Sequence, residues 1–97
     1  MLRAHSRPME PNSVILAATI EQFGGLEIGV WEMTPGVMRD VEADEVFVVL
    51  CGSASVAFAD GGPTLRVGVD DVVRLAPGTK TQWTVTETLR KVYLTGS

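Results

Sequence analysis

The feature that most constrains this chain is its rhythm. Between Val14 and Leu94, short β-prone runs alternate with turn chemistry, and no stretch carries apolar residues at helical spacing. The runs fall at 14–20, 26–33, 45–50, 54–59, 64–67, 72–75, 81–87 and 89–94. Gly24-Gly25 closes the first and Thr34-Pro35-Gly36 the second, since proline fixes a turn φ and glycine accepts positive φ. Cys51-Gly52 is expected to turn the chain between 45–50 and 54–59. Asp60-Gly61-Gly62 is the strongest hairpin signal, because Asp-Gly and Gly-Gly tolerate the positive φ of tight turns. About eight short strands at near-regular spacing predict an all-β sandwich or barrel. Closing the sheet would hide the edges of such Val-rich strands, so a small jelly-roll β-barrel is the expected architecture.

Within the second run, Leu26, Ile28 and Val30 share one face, and Glu27, Gly29, Trp31 and Met33 the other. The run 45–50 is nearly continuous in apolar residues and reads as a strand buried on both faces. Residues 1–13 hold two prolines, mixed charge and no periodicity, so a flexible N-terminal arm is expected there and a single barrel domain over 14–97.

Composition excludes several functions. The net charge is −4, and Arg39, Arg66, Arg74, Lys80, Arg90 and Lys91 are scattered, so neither nucleic acid nor an anionic membrane is an expected partner. The longest apolar run, 46–51, is too short to cross a bilayer, and no apolar segment follows Arg3 and Arg7 as a secretory signal would require. The cytoplasm is the expected location. One cysteine, Cys51, cannot form an internal bridge, so packing alone must hold the fold.

Four local patterns carry a family resemblance. They are Gly29-Val30-Trp31-Glu32-Met33-Thr34-Pro35-Gly36; Asp44-Glu45 with Gly52 seven positions beyond Glu45; Asp70-Asp71 followed by Ala76-Pro77-Gly78 and Trp83; and Arg90-Lys91-Val92-Tyr93. In order and spacing these resemble the cupin superfamily and, within it, the ureidoglycine-aminohydrolase-like cupins. The resemblance spans about residues 25–93 and implies a β-barrel of six to eight strands with an internal pocket, usually dimeric. Metal-binding cupins carry two histidines ahead of the glutamate that corresponds to Glu45 and a third after the Pro-x-Gly turn. Here Met38, Arg39, Asp40 and Val41 precede Glu45, Thr81 takes the later position, and His5 is the only histidine. A nitrogen-ligated metal site of that kind cannot be assembled, so no cofactor is expected and the family's hydrolase activity does not transfer.

Glu45 is the leading candidate, as an acid, base or ligand anchor. Its strand places Phe47 and Val49 on its own face, which the resemblance assigns to the barrel interior. The competing reading is a structural ion pair with Lys91 or Arg90. Trp31, Trp83 and Tyr93 are expected either to fill the core or to wall a ligand pocket. Arg39 lies where the missing ligands would be, whereas Lys80 reads as solvated. Asp40, Glu42 and Asp44 read as a solvated acidic loop in preference to an oxygen-ligand site for Mg²⁺ or Ca²⁺. Cys51 and the serines lack a base.

Three functional readings follow. The favoured one is a metal-free homodimeric cupin binding a small polar metabolite through Trp31, Arg39, Glu45, Trp83, Lys91 and Tyr93. The others are a small-molecule enzyme using Glu45 or a carboxylate-held metal, and a dimeric structural module without a ligand.

Overall fold

The computed structural model describes residues 2–5 and 13–96. Strand β1 spans Leu2–His5, β2 Ile15–Phe23, β3 Leu26–Met33 and β4 Gly36–Val41. Strand β5 runs over Glu45–Phe58, β6 over Leu65–Gly68, β7 over Val72–Leu75 and β8 over Lys80–Gly96. All pairings are antiparallel. Part of the segment expected to be an arm is strand β1, which pairs with β2 from Leu2 opposite Ala18 to His5 opposite Ile15. Residues 6–12 of that arm lie outside the described residues.

Strands β5 and β8 organise the molecule. They pair from Glu45 opposite Thr95 to Phe58 opposite Thr81, and each passes through both halves of the barrel. One half is β2-β3-β8-β5-β7, and the other is β4-β8-β5-β6. This is an all-β, antiparallel jelly-roll barrel, the architecture expected from the sequence. Between the halves lie Met33, Phe47, Val49, Val56, Trp83 and Leu89, all fully buried. No helix among the described residues is long and apolar enough to cross a membrane.

Three local features differ from the expected pattern. Cys51-Gly52 does not turn the chain; β5 continues through it with register shifts on either side. Gly52 sits at φ 91°, and a Cβ there would collide with the Thr88 carbonyl and lie 2.7 Å from the Leu89 Cα. It marks the barrel corner, where β5 bends and β8 presses close against it. Strand β4 falls in a stretch whose acids and arginine mask its alternation, with buried Met38 as its inward anchor. Strand β5 is buried on one face only: Phe47 and Val49 point into the core, whereas Val46 and Val48 are half-buried and Leu50 is exposed.

The turn 68–71 also has structural consequences. Asp71 Oδ2 accepts a hydrogen bond from the Gly68 amide at 2.8 Å, and Val49 exchanges backbone hydrogen bonds with Asp70 and Asp71. Asp70 adopts φ 75°, a left-handed conformation that costs an L-residue roughly 1–2 kcal/mol and that aspartate tolerates better than most.

Candidate functional site

Inward-facing residues of five strands meet at a cavity of about 140 Å³. Strand β8 contributes Trp83, Lys91 and Tyr93, and β5 contributes Glu45. Trp31 comes from β3, Ala17 from β2, and Met38 and Asp40 from β4, with Glu42 just beyond its end.

Lys91 is the centre of this arrangement. It is only 5% exposed, and its ammonium lies 2.9 Å from Glu45 Oε2. The same Nζ stands 4.3 Å from the Phe47 ring centroid, 4.6 Å from that of Trp83 and 4.8 Å from that of Trp31. Three ring faces and one carboxylate therefore replace the water a lysine would otherwise keep. The rings are packed together, with Trp83 centred 5.5 Å from Phe47 and 5.9 Å from Trp31. They serve as both core and cavity wall, the two roles the sequence left open for Trp31 and Trp83.

Glu42 was expected in a solvated acidic loop, and the structure corrects this: it is 7% exposed. Thr81 Oγ1 donates to its Oε2 at 2.6 Å, and Trp83 Nε1 donates to the same oxygen at 3.0 Å. The backbone fixes it there, because the Glu42 amide bonds the Thr79 carbonyl and the Gly78 amide bonds the Glu42 carbonyl, each at 2.8 Å. Alternation from buried Met38 through Asp40 to Glu42 was the signal that could have revealed it. Asp44 departs from that alternation and forms an ion pair with Arg74 on the outside.

Tyr93 lies at one side of the cavity and donates to Glu27 Oε2 at 3.2 Å. Burial, reinforced by the Glu27 carboxylate, pushes its hydroxyl above the ordinary value of 10.0. Gly29 makes room for the ring, since a Cβ there would collide with the Tyr93 ring and hydroxyl.

Of the residues singled out from sequence, the structure gathers Trp31, Glu45, Trp83, Lys91 and Tyr93 around one cavity. Arg39 is not among them. Its Nε donates to Gln82 Oε1 at 3.1 Å, and it lines a separate, open groove with Lys80. Cys51 is exposed and is not among the residues that line the cavity. The cavity residues do not fit a cupin metal: none of them is a histidine, Glu45 is tied through Oε2 to Lys91, and Glu42 is tied through Oε2 to two donors. Among the described residues no cluster of three or more histidine, cysteine or acidic side chains is placed to hold an ion.

An antiparallel jelly roll with aromatic and charged side chains converging on an internal cavity is the architecture of a cupin. The chain belongs to the EutQ-like cupin domain family, whose model matches residues 20–93. Among solved structures it is similar to the EutQ protein of Clostridium difficile, at 20% identity and a TM-score of 0.77 over 89% of this chain and 70% of that one. It is also similar to a putative ethanolamine utilization protein Q of Salmonella typhimurium, at 16% identity and 0.74 over 84% and 68%. A DUF861-family protein of unknown function from Pseudomonas syringae pv. tomato matches at 26% identity and 0.79, over 97% of this chain but 43% of its own. No curated protein gave a significant sequence match. The narrower ureidoglycine-aminohydrolase-like resemblance rests on the motifs alone.

Proposed function

We propose that this cupin domain binds a small polar metabolite inside the barrel, and that the ligand presents a cationic or donor-rich nitrogen group. The observation that carries this reading is Glu42. It is a nearly buried carboxylate held through one oxygen by Thr81 and Trp83 while it lines the cavity. Asp40 and Glu45 line the same space, so three formal negative charges face one ammonium, that of Lys91. A cavity of about 140 Å³ corresponds to about five water volumes. That is room for a ligand of a few heavy atoms, well below drug size. Trp31, Trp83 and Tyr93 would enclose its apolar part.

The test is a thermal-shift and calorimetric comparison of small amines with carboxylic acids of matched size. Ethanolamine is a suitable first probe, being singly cationic, small and named in the description of the Salmonella neighbour. A ligand at a hundred times its Kd should stabilise the domain by about 2.7 kcal/mol. Glu42→Gln should abolish that gain. Stabilisation by the acids and not the amines would refute the reading.

A second reading, acid/base chemistry on a small nitrogen compound, is favoured by the Glu45–Lys91 contact. Its 2.9 Å hydrogen bond could pass a proton to or from a bound ligand. Turnover of an amine ligand that Glu45→Gln abolishes while binding persists would bring this reading forward.

A further inference from the structure

The cations of this chain are not evenly partnered. Among the basic residues from Arg39 to Lys91, Arg74, Arg90 and Lys91 each hold a carboxylate. Arg39, Arg66 and Lys80 have no carboxylate partner among the described residues, and all three are exposed. They share one surface, the outer face of the half-barrel β4-β8-β5-β6. Register puts Arg39, Gln82 and Ala57 in one outward row, and Val37, Thr84, Ser55 and Arg66 in the next. On the other side of the first row stand Val41 and Lys80, joined by Ala59, whose amide bonds the Lys80 carbonyl at 3.0 Å. The row between them turns inward: Asp40 lines the interior cavity, Thr81 is buried and Phe58 packs on the core.

Two surface alanines, and a β6 ladder that stops at Val56, leave a groove of about 680 Å³ here. That is the size of a small-molecule site, commonly about 300–1,000 Å³. Val41, Ala57 and Ala59 give the groove an apolar floor, and Arg39 and Lys80 line it with positive charge. The two cations are diagonal neighbours on paired strands, with Cβ atoms about 7–8 Å apart, so both long side chains can meet over one group. Gln82 Oε1 accepts from Arg39 Nε at 3.1 Å, which orients the guanidinium and leaves its two terminal nitrogens to fork onto an anion. We infer that this groove is a second ligand site, outside the barrel, for a small organic anion: a phosphate monoester or a carboxylate on an apolar body. The phosphate monoester suits it better, since a charge of about −1.5 to −2 matches two cations. The site is independent of the interior cavity and opposite to it in charge preference.

Nuclear magnetic resonance titration of the isotope-labelled chain tests the inference, at low ionic strength where exposed charges are least screened. Phenyl phosphate should shift the backbone amides of Arg39, Val41, Ala57 and Gln82 saturably, and phenylacetate should do so more weakly. Arg39→Gln and Lys80→Gln should each weaken phenyl phosphate binding about tenfold, the worth of one hydrogen bond to a charged group. Arg66→Gln removes the same charge from the same face but outside the groove, and should change affinity by less than about twofold. Glu42→Gln should leave this binding unchanged while it abolishes binding in the interior cavity. All three basic side chains are exposed, so their variants keep the fold. Four results would each overturn the inference: no saturable shift with either probe, inorganic phosphate bound as tightly as phenyl phosphate, an equal loss on Arg66→Gln, or a loss on Glu42→Gln.

Discussion

Substituting Glu45 by glutamine removes the only carboxylate bonded to Lys91 among the described residues and leaves the volume unchanged. Lys91 sits with its side chain 6% exposed beside a Glu45 that is 14% exposed, so the pair is almost wholly desolvated. Removing one partner of a buried pair typically costs about 3–5 kcal/mol, because the survivor becomes an uncompensated charge. Two features lower the cost here. The faces of Trp31, Phe47 and Trp83 remain around the ammonium, each worth about 0.5–2 kcal/mol to a cation. The glutamine carbonyl can also still accept one hydrogen bond. The expected loss is therefore about 2–3 kcal/mol, a fall in Tm of roughly 10–20 °C for a domain of this size. Urea titration followed by tryptophan fluorescence reads it directly, since both tryptophans border the ammonium. The double variant Glu45→Gln/Lys91→Met should recover most of the loss, because the orphaned charge is gone. A loss below about 1 kcal/mol in the single variant would refute the reasoning, since an exposed pair is worth no more than that.

Three further outcomes are expected. Gly29→Ala forces Tyr93 from its seat and should cost about 1–3 kcal/mol while weakening ligand binding, read by chemical denaturation and calorimetry. The chain has one tyrosine, so its absorbance titration is unambiguous: the midpoint should lie above 10.0, and Glu27→Gln should lower it. Because the folded-state value is raised, Tyr93's contribution to stability is complete below pH 10 and is lost as pH climbs through the folded value. Asp70→Gly relieves the positive φ and should stabilise the domain by up to about 1 kcal/mol in a denaturant melt, with no effect on the cavity.

How far the sequence could be read depended on whether a residue's role was local. Turns written by Gly, Pro and Asp were legible because φ preferences act within a few residues, and so the all-β class followed; the count of eight agrees only because β1 and β4 were not expected while 45–50 with 54–59, and 81–87 with 89–94, are the single strands β5 and β8. The alternation in 26–33 correctly separated Glu27, Gly29, Trp31 and Met33 from Leu26, Ile28 and Val30. Which set faces inward was left open by that alternation, since hydrophobicity alone would have buried the aliphatic set. Gly52 misled because a barrel corner and a turn use the same residue, and only the partner strand β8 decides between them. Glu42 was missed because the donors that hold it, Thr81 and Trp83, lie 39 and 41 residues away, and its alternation with Met38 and Asp40 was the one local sign of its burial. Arg39 was drawn in by its sequence proximity to the absent ligands, yet strand parity sends it to the opposite face from Met38 and Asp40.

Stability and chemistry are divided along the length of the same strands. Within the half-barrel β2-β3-β8-β5-β7, the inward pairs run from Gly29 with Tyr93, through Trp31 with Lys91, to Met33 with Leu89. At the Met33 end the strand partners Ile15 and Leu89 are apolar, and Val49, Ala54, Val56 and Val85 close the floor without a polar atom in their side chains. At the other end Glu27, Glu45 and Tyr93 bring carboxylates and a hydroxyl to the same interior surface. A barrel lined with acids throughout would not fold, and one packed with valines throughout would have nothing to bind with. Lys91 stands at the boundary, with rings beneath it and a carboxylate beside it. Its pairing with Glu45 is thus both the last element of the core and the first of the site, and replacing it should disturb stability and binding together where Glu42→Gln disturbs binding first.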